Sequence, residues 1–430
     1  MVAIRISIGG SSRSLARKLN NARLRARNAH HRQFARPCIR TNANERLHDA
    51  ACTARYLQQD VSLFRKLSPI SLTAPVITLS DVTDIQALGA RWRALEASAD
   101  VSFFQSWTWV GCLAEDRFSA PVVLVAQEDG RDLALALFNR RAGTLSPNTL
   151  WLGESGLASL DAMYVEHNGV LVQRGRADLL AACLRAAIGP LALGSRVVLS
   201  GVDDAHLQAA RQTHAQVRVR QTRPAPYIDF TRLRREPDAF LEGLGPNTRY
   251  QLRRSARRYA ASGPLVIRRA ETVADAQVVL NELAELHQAS WVGRGRPGAF
   301  ANPYFRRFHR ELISRALPRG EVDLLRITAG SQLIGCLYNF CFDGGVLAYQ
   351  SGFNYAAATA HQKPGMTSHH LAVDMYRAAG RTRYDFLAGD ERYKTSLSNA
   401  TTSLHWLDIV PTWSPRGIVT RLLKIGHGGR

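Results

Sequence analysis

The chain is 430 residues long, 46% hydrophobic and formally +21. That length holds two or three domains, each with a sizeable core. No apolar run approaches the ~18 residues of a membrane-crossing helix, and the six cysteines show neither a CxxC pair nor metal-ligand spacing. Their spacing points to no metal site, and single cysteines in apolar runs point to a reducing, cytoplasmic setting.

The basic charge is a weaker guide. Arginine supplies nearly all of it and lysine is rare, as in a chain encoded by a GC-rich genome. Met1 to Asn44 contains no Asp or Glu, so the excess is concentrated at one end. Such a balance can serve nucleic acid or an anionic membrane, but Phe34 is the single aromatic residue among the arginines there. Residues 1–70 therefore read as a basic disordered tail or an upstream extension of the reading frame, dispensable for folding. An Arg-rich, acid-poor start also resembles an organelle transit peptide. Residues 413–430 read as a second basic tail.

A first folded unit is expected over 75–225. Asp81 to Ala97 has the pattern of a helix with Asp81 as N-cap, and Phe103-Phe104-Gln105-Ser106-Trp107 opens an aromatic helix. Val122–Gln127 and Leu133–Phe138 form a hairpin through Glu128-Asp129-Gly130. Leu150–Leu152, Val170–Val172 and Val197–Leu199 are strands, and Ala177–Ile188 is a helix ended by Gly189-Pro190. Thr222 to Pro226 reads as a linker.

A second unit is expected over 226–412. It has helices at Pro237–Leu244, Thr248–Ala261, Val273–Trp291 and Tyr304–Leu317, with a strand at Leu265–Arg269. Its most informative stretch is Glu321 to Lys394. Three apolar runs, Val322–Thr328, Gln332–Phe342 and Val346–Phe353, are separated by turns at Ala329-Gly330-Ser331 and Asp343-Gly344-Gly345. A loop ending in Lys363-Pro364-Gly365 opens a helix, and a short strand Tyr384–Leu387 follows. Both units start with helices and run into hairpins, which suits two copies of one architecture.

Three constellations could carry chemistry. Pro364-Gly365-Met366-Thr367 opens a helix straight after a meander. Proline suits a first turn, free N–H groups and the dipole attract an anion, and Gly365 permits close approach. An ordinary helix start has the same look. Arg249 and Arg253 are four apart and share a helical face with Arg257, able to grip phosphate or to stand in solvent. Asp385 and the string Asp390-Glu391-Arg392-Tyr393-Lys394 lie at a strand end. Asp390 there suits a general base, Tyr393 a proton donor to a leaving thiolate, and Lys394 an anion ligand. His369 and His370 read as structural. No GxSxG, Walker A, HExxH or Rossmann signature occurs in a suitable context.

The segment from about Asn247 to Lys394 resembles the GNAT-like acetyltransferase family of the CelD type associated with cellulose biosynthesis, and more distantly the FemAB group. The resemblance rests on Arg249-Tyr250-Gln251-Leu252-Arg253-Arg254, on Leu286-His287-Gln288-Ala289-Ser290-Trp291 with the following Arg/Gly/Pro loop, and on Tyr349-Gln350-Ser351-Gly352-Phe353-Asn354. It rests further on Lys363-Pro364-Gly365 and on Asp385 through Lys394. The usual phosphate loop of that superfamily, Q/R-x-x-G-x-G/A, is replaced by Lys363-Pro364-Gly365.

The resemblance implies an α/β fold of tandem GNAT-like domains, with mixed, mainly antiparallel sheets flanked by helices and a degenerate first copy. It implies an N-acyltransferase using acetyl-CoA or another acyl-CoA, without a metal. The acceptor would be an amine of a small or cell-envelope, polysaccharide-related molecule. Lys363, Pro364, Gly365, Met366, Thr367 and Gln350 would hold the cofactor, and Arg249, Arg253, Lys394 and Trp291 the acceptor. Two other readings stand beside it: tRNA-dependent aminoacyl transfer of the FemAB kind, and a non-catalytic polyanion-binding protein that keeps the fold.

Overall fold

The computed structural model describes residues 6–7, 74–143, 146–161, 164–189, 196–233 and 239–412. Apart from Ile6–Ser7, the expected tails at 1–70 and 413–430 lie outside the described residues. Contacts divide the chain into a large unit, which includes 77–126 and 132–430, and a small one of 5–76 and 127–131. In the small unit, Asp129 and Gly130 take φ of 50° and 77°, as a two-residue hairpin turn requires.

The first half of the large unit runs β1 (Val76–Asp81), α1 (Ile85–Glu96), α2 (Trp107–Arg117), β2 (Pro121–Glu128), β3 (Arg131–Gly143) and β4 (Ser146–Leu152). It continues with a short β5 (Leu171–Val172), α3 (Leu180–Ile188), β6 (Arg196–Val202), α4 (Asp204–Arg211) and β7 (Gln216–Asp229). The second half runs α5 (Ala239–Gly243), α6 (Pro246–Ala260), β8 (Leu265–Arg269), α7 (Val273–Val292), α8 (Pro303–Ala316), β9 (Val322–Ala329), β10 (Gln332–Phe342) and β11 (Gly345–Phe353). It ends with α9 (Pro364–Ala378), β12 (Arg383–Asp385), α10 (Arg392–Leu397) and β13 (Ala400–Val410).

Side by side, the strands of the large unit follow the order β1-β2-β3-β4-β6-β13-β7-β12-β11-β10-β9-β8, with β5 on β3. In each half a meander leads through a helix to a strand parallel to the last meander strand: β4 with β6, and β11 with β12. The halves then trade final strands. β13, the last strand of the second half, lies antiparallel on β6 of the first. β7, the last strand of the first half, lies antiparallel on β12 of the second. β7 and β13 also pair with each other, from Ala400 opposite Tyr227 to Val410 opposite Gln216. This is the mixed, mainly antiparallel arrangement flanked by helices that the family resemblance implies, with the sheets of both halves joined into one.

Local chemistry explains most boundaries and corrects three expectations. The N-cap of α1 is Asp84, which accepts from the N–H groups of Gln86 and Ala87. Asp81 instead ends β1 and pairs with Arg140 at 2.9 Å, because the apolar period begins only at Ile85 and a cap must precede it directly. The aromatic helix starts at Trp107, behind Ser106 as N-cap, and Phe103–Gln105 is a 3-10 turn. Thr222–Pro226 is not a linker but the middle of β7. Its prolines lack N–H groups, yet their carbonyls pair: Pro226 accepts from Phe386 at 3.0 Å and Pro224 from Gly389 at 2.9 Å.

One aromatic core joins the halves. Phe103 of the first stacks on Phe340 of β10 with ring centroids 4.1 Å apart, and Trp109 of α2 meets Phe308 of α8 at 5.3 Å. All four are buried, and each such ring contributes roughly 1.5–3 kcal/mol. The four described cysteines, Cys112, Cys183, Cys336 and Cys341, are buried free thiols.

Candidate functional site

The site begins where two parallel strands part. β11 pairs with β12 only through Gly345–Arg383, Val346–Tyr384 and Leu347–Asp385. Beyond that point β11 continues to Phe353, while the chain after Asp385 follows β7. A bulge lies at the fork. In the β10–β11 ladder Asn339 faces Ala348 and Tyr338 faces Gln350, so Tyr349 is the extra residue. Bulges bend a strand and re-aim its groups, and this one turns Tyr349 into the aromatic core. Gln350, its neighbour, is half-buried on the opened length.

The start of α9 leaves backbone donors open. Pro364 has no N–H, and the Thr367 N–H bonds the Lys363 carbonyl at 2.9 Å. That leaves the N–H groups of Gly365 and Met366 as donors that α9 itself does not use. Ser255 of α6 fixes this turn: its hydroxyl accepts from the Lys363 N–H and meets the Thr367 hydroxyl, both at 2.8 Å. The Thr367 side chain is thus buried in packing, and Met366 packs on the core. Gly365 is glycine for a local reason: a Cβ there would come within 3.1 Å of the Phe353 ring.

Basic side chains surround this turn. Partial desolvation, then the charges of Arg254, Arg258 and Lys363, hold His361 below its ordinary value. Those arginines lie on α6, but on a different face from the two that the sequence singled out. Arg253 stands exposed, and Arg249 reaches back to the Glu242 carbonyl at 3.2 Å. Trp291, half-buried at the end of α7, lies against Arg294 and His287.

The far lip of the fork is Asp385 to Lys394. Asp385 is fully buried. Burial alone would raise its carboxyl, but His167 at 3.2 Å, Arg383 and the Leu387 N–H at 2.7 Å outweigh burial and hold it below the usual range. Leu387 takes φ of 61°, unusual for a branched residue and a sign of a constrained turn. The Lys394 ammonium is buried on the carbonyls of Ala388 (2.8 Å) and Leu387 (3.4 Å), with Glu391 at 3.2 Å. Its donors are engaged within the protein. Asp390 is exposed, with no hydrogen bond or ion pair among the described residues. Tyr393 stacks on His369 with centroids 5.5 Å apart, and burial, then Glu391 and Tyr355, push its phenol up. His369 is buried, bonds Tyr384 at 2.9 Å, and supports Tyr393 from behind.

Sequence reasoning missed the first half's contribution. The loop Val165-Glu166-His167 crosses to this lip: Glu166 accepts the Ala388 N–H at 2.6 Å, and His167 meets Asp385. An acid-imidazole-amide-glycine run just before a two-residue strand, Glu166-His167-Asn168-Gly169, was the available signal. Among the described residues no group of His, Cys, Asp and Glu is arranged to hold a metal, and no helix is long and apolar enough to cross a membrane.

Residues 246–395 match the family model described as the acetyltransferase (GNAT) domain, which bears out the GNAT-like resemblance read from the sequence. Among solved structures, FemX is similar at 10% identity over 76% of this chain and 96% of that one, with a TM-score of 0.52. A C-terminal domain of a putative lysylphosphatidylglycerol synthetase from Agrobacterium fabrum aligns at 12% identity over 79% of this chain and 95% of its own, with a TM-score of 0.48. A tandem GNAT protein from the clavulanic acid biosynthesis pathway aligns at 13% identity over 77% and 98%, with a TM-score of 0.41. No curated protein matches the chain. The chain has a GNAT-type α/β fold and is a transferase of the acyltransferase kind.

Proposed function

We propose that the protein transfers an acyl group from acyl-CoA, acetyl-CoA being the simplest donor, to an amine. The observation that carries this reading is the fork: β11 leaves β12 beside a bulge and ends at Phe353, whose ring lies against Gly365 at the start of α9. A pyrophosphate would take the Gly365 and Met366 N–H groups, with Lys363, Arg254 and Arg258 supplying charge. The thioester would lie along the unpaired edge of β11 past Gln350, whose backbone N–H groups suit a developing oxyanion. Tyr393, its phenol kept protonated by burial, suits the proton donor to the leaving thiolate. Asp390 is the candidate base at the exposed mouth, while Trp291 and the Arg249–Arg253 face are candidate acceptor contacts. A small or envelope-related acceptor is supported by the family resemblance alone.

The exposed basic face of α6, Arg253 with Arg257, favours one second reading, in which an aminoacyl-tRNA is the donor. Calorimetry separates the two. The first expects 1:1 binding of CoA and acetyl-CoA; the second expects tRNA binding that weakens steeply with salt and no CoA heat.

A further inference from the structure

Glu166 is a buried carboxylate from the first half with half of its capacity unused. Its side chain is 5% exposed. One oxygen accepts the Ala388 N–H at 2.6 Å, and the other has no hydrogen-bond partner among the described residues. Burying a carboxylate is costly, and a neutral amide would hold one backbone N–H without that cost. Lys394 and His167 offset part of that cost, but a structural clamp leaves the second oxygen without a role.

Its position is fixed with unusual care. The Asn168 N–H bonds the Gly201 carbonyl at 3.1 Å, and the Asn168 amide bonds the Leu152 carbonyl at 3.0 Å. Ser102 donates to the His167 carbonyl at 2.5 Å. Gly201, at φ of 65°, is required here: a Cβ would lie 2.4 Å from the Val165 carbonyl and 2.7 Å from the Glu166 Cα. The loop is thus pressed against β6 and held at both ends. It delivers Glu166 to Ala388, whose carbonyl is gripped from the other side by Lys394. Tyr349, the bulged residue at the fork, feels the Glu166 charge: burial raises its phenol, Arg117 opposes, and Glu166 raises it further.

We infer that Glu166, rather than the exposed Asp390, is the base that takes the proton from the attacking amine, so that the first half supplies a catalytic group to the site of the second. The inference rests on the acyl-transfer reading. The amine nitrogen forms its bond to the acyl carbon while the carbon–sulfur bond breaks. The nitrogen's proton goes to the free oxygen of Glu166, and the thiolate takes a proton from Tyr393 or water. Burial raises the Glu166 carboxyl above its ordinary value, opposed by the Ala388 N–H, Lys394 and His167 and assisted by Asp385. A raised carboxyl suits a base working near neutral pH.

The test follows CoA thiol release from acetyl-CoA with a panel of amino sugars and amino acids, beside calorimetry of CoA binding. Glu166→Gln keeps an acceptor for the Ala388 N–H and removes the base. Its kcat should fall by about 100-fold or more, its CoA affinity should stay within about twofold, and the acid limb of the kcat/KM profile should vanish. Glu166→Asp, which keeps the charge, should restore part of the rate and the limb. Retention of most turnover or of the acid limb in Glu166→Gln overturns the assignment, as does loss of its melting transition, which marks a structural clamp. Loss in Asp390→Asn with retention in Glu166→Gln returns the role to Asp390. A wild-type chain that neither binds acyl-CoA nor releases thiol overturns the acyl-CoA reading, and this assignment with it.

Discussion

The two halves share a path and differ at the same two places. In the second half, α9 opens on Pro364-Gly365 beside exposed Lys363; in the first, α3 continues a 3-10 turn, Ala177–Leu179, and opens on the buried leucines Leu179 and Leu180. β11 runs on to Phe353 after parting from β12 at Leu347, whereas β4 ends at Leu152, one residue past its last pair with β6, Trp151–Val198. The first half therefore keeps the frame but has neither an open strand edge nor a helix start free to meet an anion. The comparison teaches that a repeated architecture can divide its labour. One copy keeps the opening, and the other is freed to press a loop, 165–168, against it.

The largest expected effect tests whether the halves are separable at all. Because β13 lies between β6 and β7, a chain ended after Asn399 should lose its cooperative melting transition in both halves. Scanning calorimetry checks this; a surviving transition would show a half that folds alone.

Next comes the contrast between the two faces of α6. Replacing Arg254 and Arg258 together by Ala should weaken CoA binding by about tenfold, or about 1.4 kcal/mol, and flatten its salt dependence. The same change at Arg253 and Arg257, on the other face, should leave calorimetric CoA affinity within about twofold.

The halves should also part company in acid. Burial, then Lys394, lowers His369 to about 3 from 6.5. The unfolded chain takes up that proton first, so this stability is complete above about pH 6.5 and drains away as pH falls toward 3. In the first half, burial would raise Asp203, but the His206 ring and N–H bring it to about 2 from 3.8. Its contribution is complete above about pH 4 and is lost only as pH falls toward 2. Melting temperatures from pH 8 to 3 should thus begin to drop below pH 6.5, and His369→Phe should shrink that early limb, to which the buried His309 and His287 also contribute, while sparing the later one.

The smallest effect is expected at Glu154, raised to about 7 from 4.5 by burial against the pull of the Ser200 hydroxyl. The fold favours its protonated form, so its contribution is full below about pH 4.5 and is lost as pH rises through 7. Glu154→Gln should raise the melting temperature by about a few degrees at pH 8 and by less at pH 4.

Much of this frame was legible in the chain. The second meander, its turns, the start of α9 and the short strand at β12 are all written in local pattern and turn chemistry. The traded strands were not. β7 exposes Arg218, Val219, Arg220 and Gln221 and carries Pro224 and Pro226, so composition reads it as a linker although its carbonyls are paired. β13 is held between two strands distant in sequence, a relation no window of residues contains. Asp390 and Tyr393 were singled out by their neighbours in sequence. Glu166 was missed because its meaning depends on Ala388, a partner from the other half. Arg254 and Arg258 were passed over for Arg249 and Arg253 because four-residue spacing marks a face without saying which face meets α9.

The traded strands also set the timing of birth. His405, which pairs with Val202, follows it by about two hundred residues. At ~5–20 residues per second on the ribosome, β6 waits ~10–40 s with an unpaired edge. Such an edge recruits other chains if left bare. The early half therefore carries a strand edge open to other chains until β13 is made, and β13 acts as the latch that closes it.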